Sequence, residues 1–219
     1  MQIYIIEINN LKEYEIFVHN NADIISSSFL SEQESFVSRL MYLACAYVLK
    51  NKHALSSPIN LLKNKYGKPF LDQTNIHLSF SHSATHIAFG ISKAPLGIDM
   101  EKIRKLPKPL IRYFDMNYRN ALVDKNEAIN QMIYWTKLEA FAKAIQICVY
   151  DILQEANVAA KLIQYQGQTY TIRSFLVSEN TVLSALELIN SDPVIQFSRI
   201  QPGVIKSEFE IYPFTPIKI

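Results

Sequence analysis

Asp99 and Glu101 occupy alternate positions in the stretch Ala94-Pro95-Leu96-Gly97-Ile98-Asp99-Met100-Glu101. With the two-residue period of a strand, Leu96, Ile98 and Met100 share one face, and Gly97, Asp99 and Glu101 share the other. The apolar face can pack into a core. The other face sets two carboxylates side by side, behind a glycine that leaves room for a close approach. Neighbouring carboxylates repel, so they are either well solvated or neutralised by a cation. Hard oxygen ligands in this pattern suit Mg²⁺, which takes one or two protein carboxylates and completes its octahedron with water and substrate phosphates. Taken alone, the pair reads first as an acidic strand end in solvent.

Other residues in the chain could serve the same chemistry. In Tyr66-Gly67-Lys68-Pro69-Phe70 the glycine and proline mark a tight, rigid turn, and a lysine held on it can grip a phosphate as a point charge. In Ile76-His77-Leu78-Ser79-Phe80-Ser81-His82-Ser83 hydroxyls alternate along a strand that exits at His82, where ring and hydroxyl donors can meet an anion. Trp135, Glu139 and Lys143 follow at i, i+4 and i+8, one stripe of a helix. Glu139 and Lys143 are either an exposed helix ion pair or a ligand aimed at the cation of Asp99 and Glu101 beside a lysine aimed at a phosphate. Arg39 lies on an earlier helix, where a solvated position is its ordinary reading.

These residues need particular elements to carry them. Alternation predicts a strand over 2–8. Ser31 and Glu34 form a capping box for a helix through Phe36, Leu40, Leu43, Ala44 and Tyr47 that should pack on a sheet. The strand at 76–83 is followed by a return strand through Ile87, Phe89 and Ile91. The short link Ser92-Lys93-Ala94-Pro95 should close a hairpin onto the acidic strand, setting His82 and the carboxylates on adjoining strands. A basic, proline-rich link follows at 102–109, then helical fragments around Tyr113-Phe114 and Ala121-Leu122, and a strong helix from about Glu127 to Cys148. Strands are expected at 158–165, 169–176 and 182–188 around a Gln166-Gly167-Gln168 turn, with a β-like tail.

The bulk composition excludes several classes. With 219 residues, 49% hydrophobic and 19% charged, the chain is globular and able to bury a sizeable core. A net charge of +2 gives no field that draws nucleic acid, and there is no basic stripe. No basic n-region opens the chain and no apolar run approaches a membrane span. Cys45 and Cys148 both sit in apolar helical patterns, which predicts buried free thiols in a reducing compartment. A cytoplasmic protein is expected.

Three ordered blocks, Gly67-Lys68-Pro69, then Phe80-Ser81-His82-Ser83 leading to Gly97-Ile98-Asp99-Met100-Glu101, then Trp135-Thr136-Lys137-Leu138-Glu139-Ala140-Phe141-Ala142-Lys143, resemble the 4′-phosphopantetheinyl transferases of the larger, monomeric, surfactin-synthetase-activating type. The resemblance implies an α+β fold, a pseudo-dimer of two similar halves, here 1–105 and 106–219. It implies Mg²⁺ held by Asp99, Glu101 and Glu139, and coenzyme A phosphates gripped by Lys68, His82, Ser81 and Arg39. Lys143 would stabilise charge near the bridging phosphate oxygen, with Glu139 taking the proton of the attacking serine. The implied reaction passes phosphopantetheine from coenzyme A to an apo acyl or peptidyl carrier protein and releases 3′,5′-ADP. The basic link at 102–108, or the aromatic segment at Tyr113, is the expected landing place for the carrier's acidic helix. The chain departs from the family's pattern at Leu138, where the family often has lysine. The alternative is a non-catalytic protein of the same fold that binds coenzyme A or the carrier.

Overall fold

A computed structural model describes residues 1–26, 29–30, 34–72, 74–118, 127–153, 157–189, 194–203 and 209–219. In chain order the elements are β1 (Gln2–Glu7), α1 (Glu15–Asn20), α2 (Phe36–His53), β2 (Leu61–Lys63), β3 (Pro69–Leu71), β4 (His77–His82), β5 (His86–Ser92) and β6 (Leu96–Lys102). Then come α3 (Lys108–Tyr118), α4 (Glu127–Ile145), α5 (Val149–Ile152), β7 (Leu162–Tyr165), β8 (Gln168–Ser178), β9 (Thr181–Leu188), β10 (Gln196–Pro202), β11 (Phe209–Pro213) and β12 (Ile217–Lys218). The α+β class is as expected.

Strand alternation builds four layers. The first sheet has the order β11-β10-β1-β5-β4 and the second β12-β8-β9-β6, with β7 paired to β8. In β1, Tyr4 and Ile6 join the α2 core while Ile3 and Ile5 meet the second sheet. In β9, Val182 and Leu186 face α4 while Leu183 and Ala185 face the first sheet. The order is therefore helix α2, sheet, sheet, helix α4. Strand β5 is covered on both faces and buried throughout, which accounts for its continuous apolar character.

Strand β6 departs from the hairpin expected for it. Its residues Leu96 to Lys102 pair with Glu187 to Thr181 of β9, in the second sheet, and not with β5. Its outer edge instead abuts β4, the edge of the first sheet. No backbone ladder joins these two edges. Ser79 Oγ accepts the Ile98 N–H (3.0 Å) and Ser81 Oγ accepts the Met100 N–H (3.0 Å), supplying the acceptors that a ladder would have provided.

Smaller departures have local causes. Ser31 lies outside the described residues, as do Ala121 and Leu122. The cap of α2 is Ser35, whose hydroxyl accepts the Ser38 N–H at 3.1 Å. Helix α4 stops at Ile145 because Gln146 turns left-handed (φ 60°) and the Ile147 N–H closes onto the Ala142 carbonyl. That early stop leaves Cys148 exposed, not buried; Cys45 is buried as expected, its thiol pushed well up by burial.

Candidate active site

Gly97 is the position on which the site depends. A Cβ built there would lie 1.8 Å from the Ala140 carbonyl oxygen and 2.8 Å from the Ala144 nitrogen. The space the glycine leaves is filled by the backbone of α4. Any other residue would hold the helix off the strand. This close approach brings Glu139 and Lys143, one helical turn apart, against Asp99 and Glu101 of β6.

Lys143 Nζ donates to Asp99 Oδ1 at 2.7 Å, so Lys143 is partnered across the elements and not with Glu139. Ser81 Oγ donates to the same carboxylate oxygen at 3.0 Å. Asp99 is 5% exposed, and its Oδ2 is buried with no partner among the described residues. Glu101 lies near the Trp135 indole and stands 3.9 Å from the exposed Arg104 guanidinium, a contact that contributes little. Burial, then the Asp99 charge, raises the Glu101 carboxyl above the usual range, with Arg104, Lys143 and Trp135 opposing. Burial and the charges of Asp99 and Glu101 likewise raise Glu139, with Lys143 opposing.

Lys68 arrives on the turn between β2 and β3. Asn64 builds that turn: its Oδ1 accepts the N–H groups of Tyr66 (3.0 Å) and Lys68 (2.9 Å), and Gly67 takes the left-handed φ of 76° that the turn needs. Asn64 Nδ2 also donates to the Gln146 side chain at 3.1 Å, tying the turn to the end of α4. Lys68 Nζ donates to the Lys143 carbonyl oxygen, one of the carbonyls a helix end leaves free. Burial, with the Lys143 charge adding, pushes Lys68 down to about 8.

A cleft of about 750 Å³ is lined by Lys68, Ser81, His82, Asp99, Glu101, Glu139 and Lys143. Arg39 stands apart. Its neighbour Ser38 lines the cleft, but Arg39 does not, and its Nε is buried without a partner among the described residues. Ser81 lies within the cleft, yet its proton is committed to Asp99. Leu138 is fully buried in the core of α4. A second hollow of about 580 Å³ lies across the strap formed by the Lys68 turn and has no carboxylate in its lining.

Sequence reasoning assigned no role to Asn64 or Trp135. An asparagine ahead of Tyr-Gly is a turn signal for the first, and the place of Trp135 on the Glu139 stripe was a signal for the second. The donor set suits a hard divalent ion: three carboxylates repel one another, and one buried oxygen lacks a partner. Among the described residues, however, no three acidic, histidine or cysteine groups are close enough to hold a metal ion as they stand. The Lys143 ammonium occupies the place of counter-charge at Asp99. An ion would require that ammonium to withdraw and the carboxylates to converge.

Two curated proteins are similar to this chain over about a hundred residues. The 4′-phosphopantetheinyl transferase gsp of Aneurinibacillus migulanus is 34% identical over 103 residues, 45% of this chain and 43% of the relative. The 4′-phosphopantetheinyl transferase ffp of Bacillus subtilis is 28% identical over 102 residues, 44% of this chain and 46% of the relative. Over that stretch this chain is similar to two 4′-phosphopantetheinyl transferases. The matched stretch spans less than half the length of either relative. No family model matches the chain, and among the described residues no helix is long and apolar enough to cross a membrane.

Proposed function

We propose that the protein transfers the 4′-phosphopantetheine group of coenzyme A to a serine of an apo acyl or peptidyl carrier protein, releasing 3′,5′-ADP. The observation that carries this reading is the meeting of Asp99, Glu101, Glu139, Lys143, Lys68 and His82 on one cleft. The names of the two relatives support it. In this reading the enzyme works as a cytoplasmic monomer, since one chain carries both helix-covered sheets.

Asp99, Glu101 and Glu139 are the residues that would hold Mg²⁺, which when bound neutralises the diphosphate and favours the leaving group. The remaining roles belong to the chain itself. Lys68 and His82 receive phosphate oxygens, Lys68 leaving the α4 carbonyl to do so. Ser81 acts by holding Asp99, and Arg39 is given no phosphate. Glu139, with its raised affinity for a proton, takes the hydrogen of the carrier serine hydroxyl. The serine oxygen bonds to the β-phosphorus, the bond from that phosphorus to the bridging oxygen breaks, and 3′,5′-ADP leaves with the electron pair. The Lys143 ammonium stands beside that developing charge. A groove of about 430 Å³ between α3 and the start of α4, lined by Lys105, Lys108 and Arg112 with Glu127, is where the carrier's acidic helix docks.

Incubation with coenzyme A, Mg²⁺ and a panel of apo carriers should add one phosphopantetheine to a carrier, read by intact-protein mass. The second reading, a non-catalytic coenzyme A or carrier-binding protein, is favoured by the Lys143–Asp99 pair standing where a cation is needed. Coenzyme A binding with no mass gain on any carrier would select it.

A further inference from the structure

Beneath α4 runs a row of hydroxyls that the chemistry above does not use. Ser184 of β9 lies directly opposite Asp99 of β6, and Ser174 of β8 lies opposite Ser184. The row thus continues across the sheet from the carboxylate, on the face that α4 covers. Thr136 of α4 comes down onto it. Thr136, Ser174 and Ser184 are 0, 2 and 0% exposed. Ser174 Oγ is 2.8 Å from Ser184 Oγ, which is 2.7 Å from Thr136 Oγ1. Thr136 Oγ1 is also 2.9 Å from the Met132 carbonyl oxygen, which can only accept. A proton on every contact requires one direction: Ser174 donates to Ser184, Ser184 to Thr136, and Thr136 to Met132.

An apolar helix-to-sheet contact would carry no desolvation cost here. Three buried hydroxyls that satisfy one another add a unique setting more than they add strength. That setting is needed. The space left by Gly97 lets α4 come close without by itself fixing the rotation of the helix, which its core side chains and the hydroxyl row set together. Thr136 precedes Glu139 by three residues and Lys143 by seven, about two turns or less. A slide of one residue, about 1.5 Å with a rotation of about 100°, would carry both side chains away from Asp99 and Glu101.

We propose that Thr136 is a positioning residue for the transfer reaction: held by Ser184 and Ser174, it fixes the rotation of α4 and so aims Glu139 and Lys143 at the carboxylates of β6. This rests on the transferase reading. Thr136→Val keeps the side-chain shape and removes the hydroxyl. It should lower kcat about tenfold, since small misplacements of reacting groups are costly, with the KM for coenzyme A within about twofold. Thr136→Ser should restore most of the rate. The triple variant Thr136→Val, Ser174→Ala, Ser184→Ala leaves no orphaned hydroxyl; it should melt no lower than wild type and still be slow. Wild-type kcat in Thr136→Val, or Thr136→Ser no faster than Thr136→Val, overturns the assignment. So does a triple variant that recovers stability and rate together, because that marks a merely structural role. A wild-type chain that modifies no carrier is a different result: it sinks the transferase reading, and the aiming role with it.

Discussion

Burial holds Lys68 at about 8, so its ammonium is charged at neutral pH and discharges just above it. If that charge binds a phosphate, the KM for coenzyme A should rise as pH passes about 8. Lys68→Ala should show a raised KM at every pH and no such step; a step that persists would assign it to another group. The stability sign follows from the same shift. The folded value lies below that of an unfolded lysine, so the charged form costs stability below pH 8, and the cost is relieved as pH rises from about 8 toward the unfolded value. Glu139 runs the other way. Its raised carboxyl contributes stability below the ordinary glutamate range that is lost as pH rises through its folded value. Glu139→Gln should therefore abolish transfer yet raise Tm at pH 7 in chelator, a gain that shrinks on acidification. An unchanged turnover would remove Glu139 from the chemistry. Asp99, Glu101, Glu139 and Lys143 were legible because strand and helix periods fix which side chains share a face. The commitment of Ser81 to Asp99 and the indole of Trp135 on Glu101 were not, since both depend on which strand or helix arrives opposite.

The contact of α4 with β6 decides whether those side chains meet at all. In Gly97→Ala the added methyl would fall 1.8 Å from the Ala140 carbonyl oxygen, so the helix must shift. Denaturation should show a loss of about 1–3 kcal/mol or more, and transfer should fall further than that loss of folded protein explains. Reversal of Lys105, Lys108 and Arg112 to glutamate should raise the KM for the carrier and leave that for coenzyme A alone. Unaltered carrier kinetics would move the docking groove elsewhere. Alternation and 3.6-residue spacing made most elements readable, while two junctions misled. A four-residue link between strands usually makes a hairpin, but β6 is drawn to β9 because its apolar face is needed between the sheets. The end of α4 carried no glycine to announce it, since Gln146 takes the left-handed turn itself.

Strands are shared between the two sequence halves. β6 belongs with β8 and β9 in the second sheet, while β10 returns to lie parallel to β1 in the first. The two sheets also bury a common apolar layer, with Ile3 and Ile5 against Phe175 and Leu183. Unfolding should thus be a single transition, with the fluorescence of Trp135, the one tryptophan, coinciding with far-UV circular dichroism. Two separated transitions would show that the halves fold independently. Composition and apolar content announced a globular chain, and the tail read as β-like. Its destination beside the first strand was beyond local pattern, because parallel pairing across almost two hundred residues leaves no mark in spacing. The seam between β4 and β6 has a consequence in time. The amides of Ile98 and Met100 rest on serine hydroxyls, which can rotate away without breaking a strand pair. In heavy water these two should take up deuterium ahead of the ladder-bound amides of β9, making them reporters of how often the floor of the cleft parts.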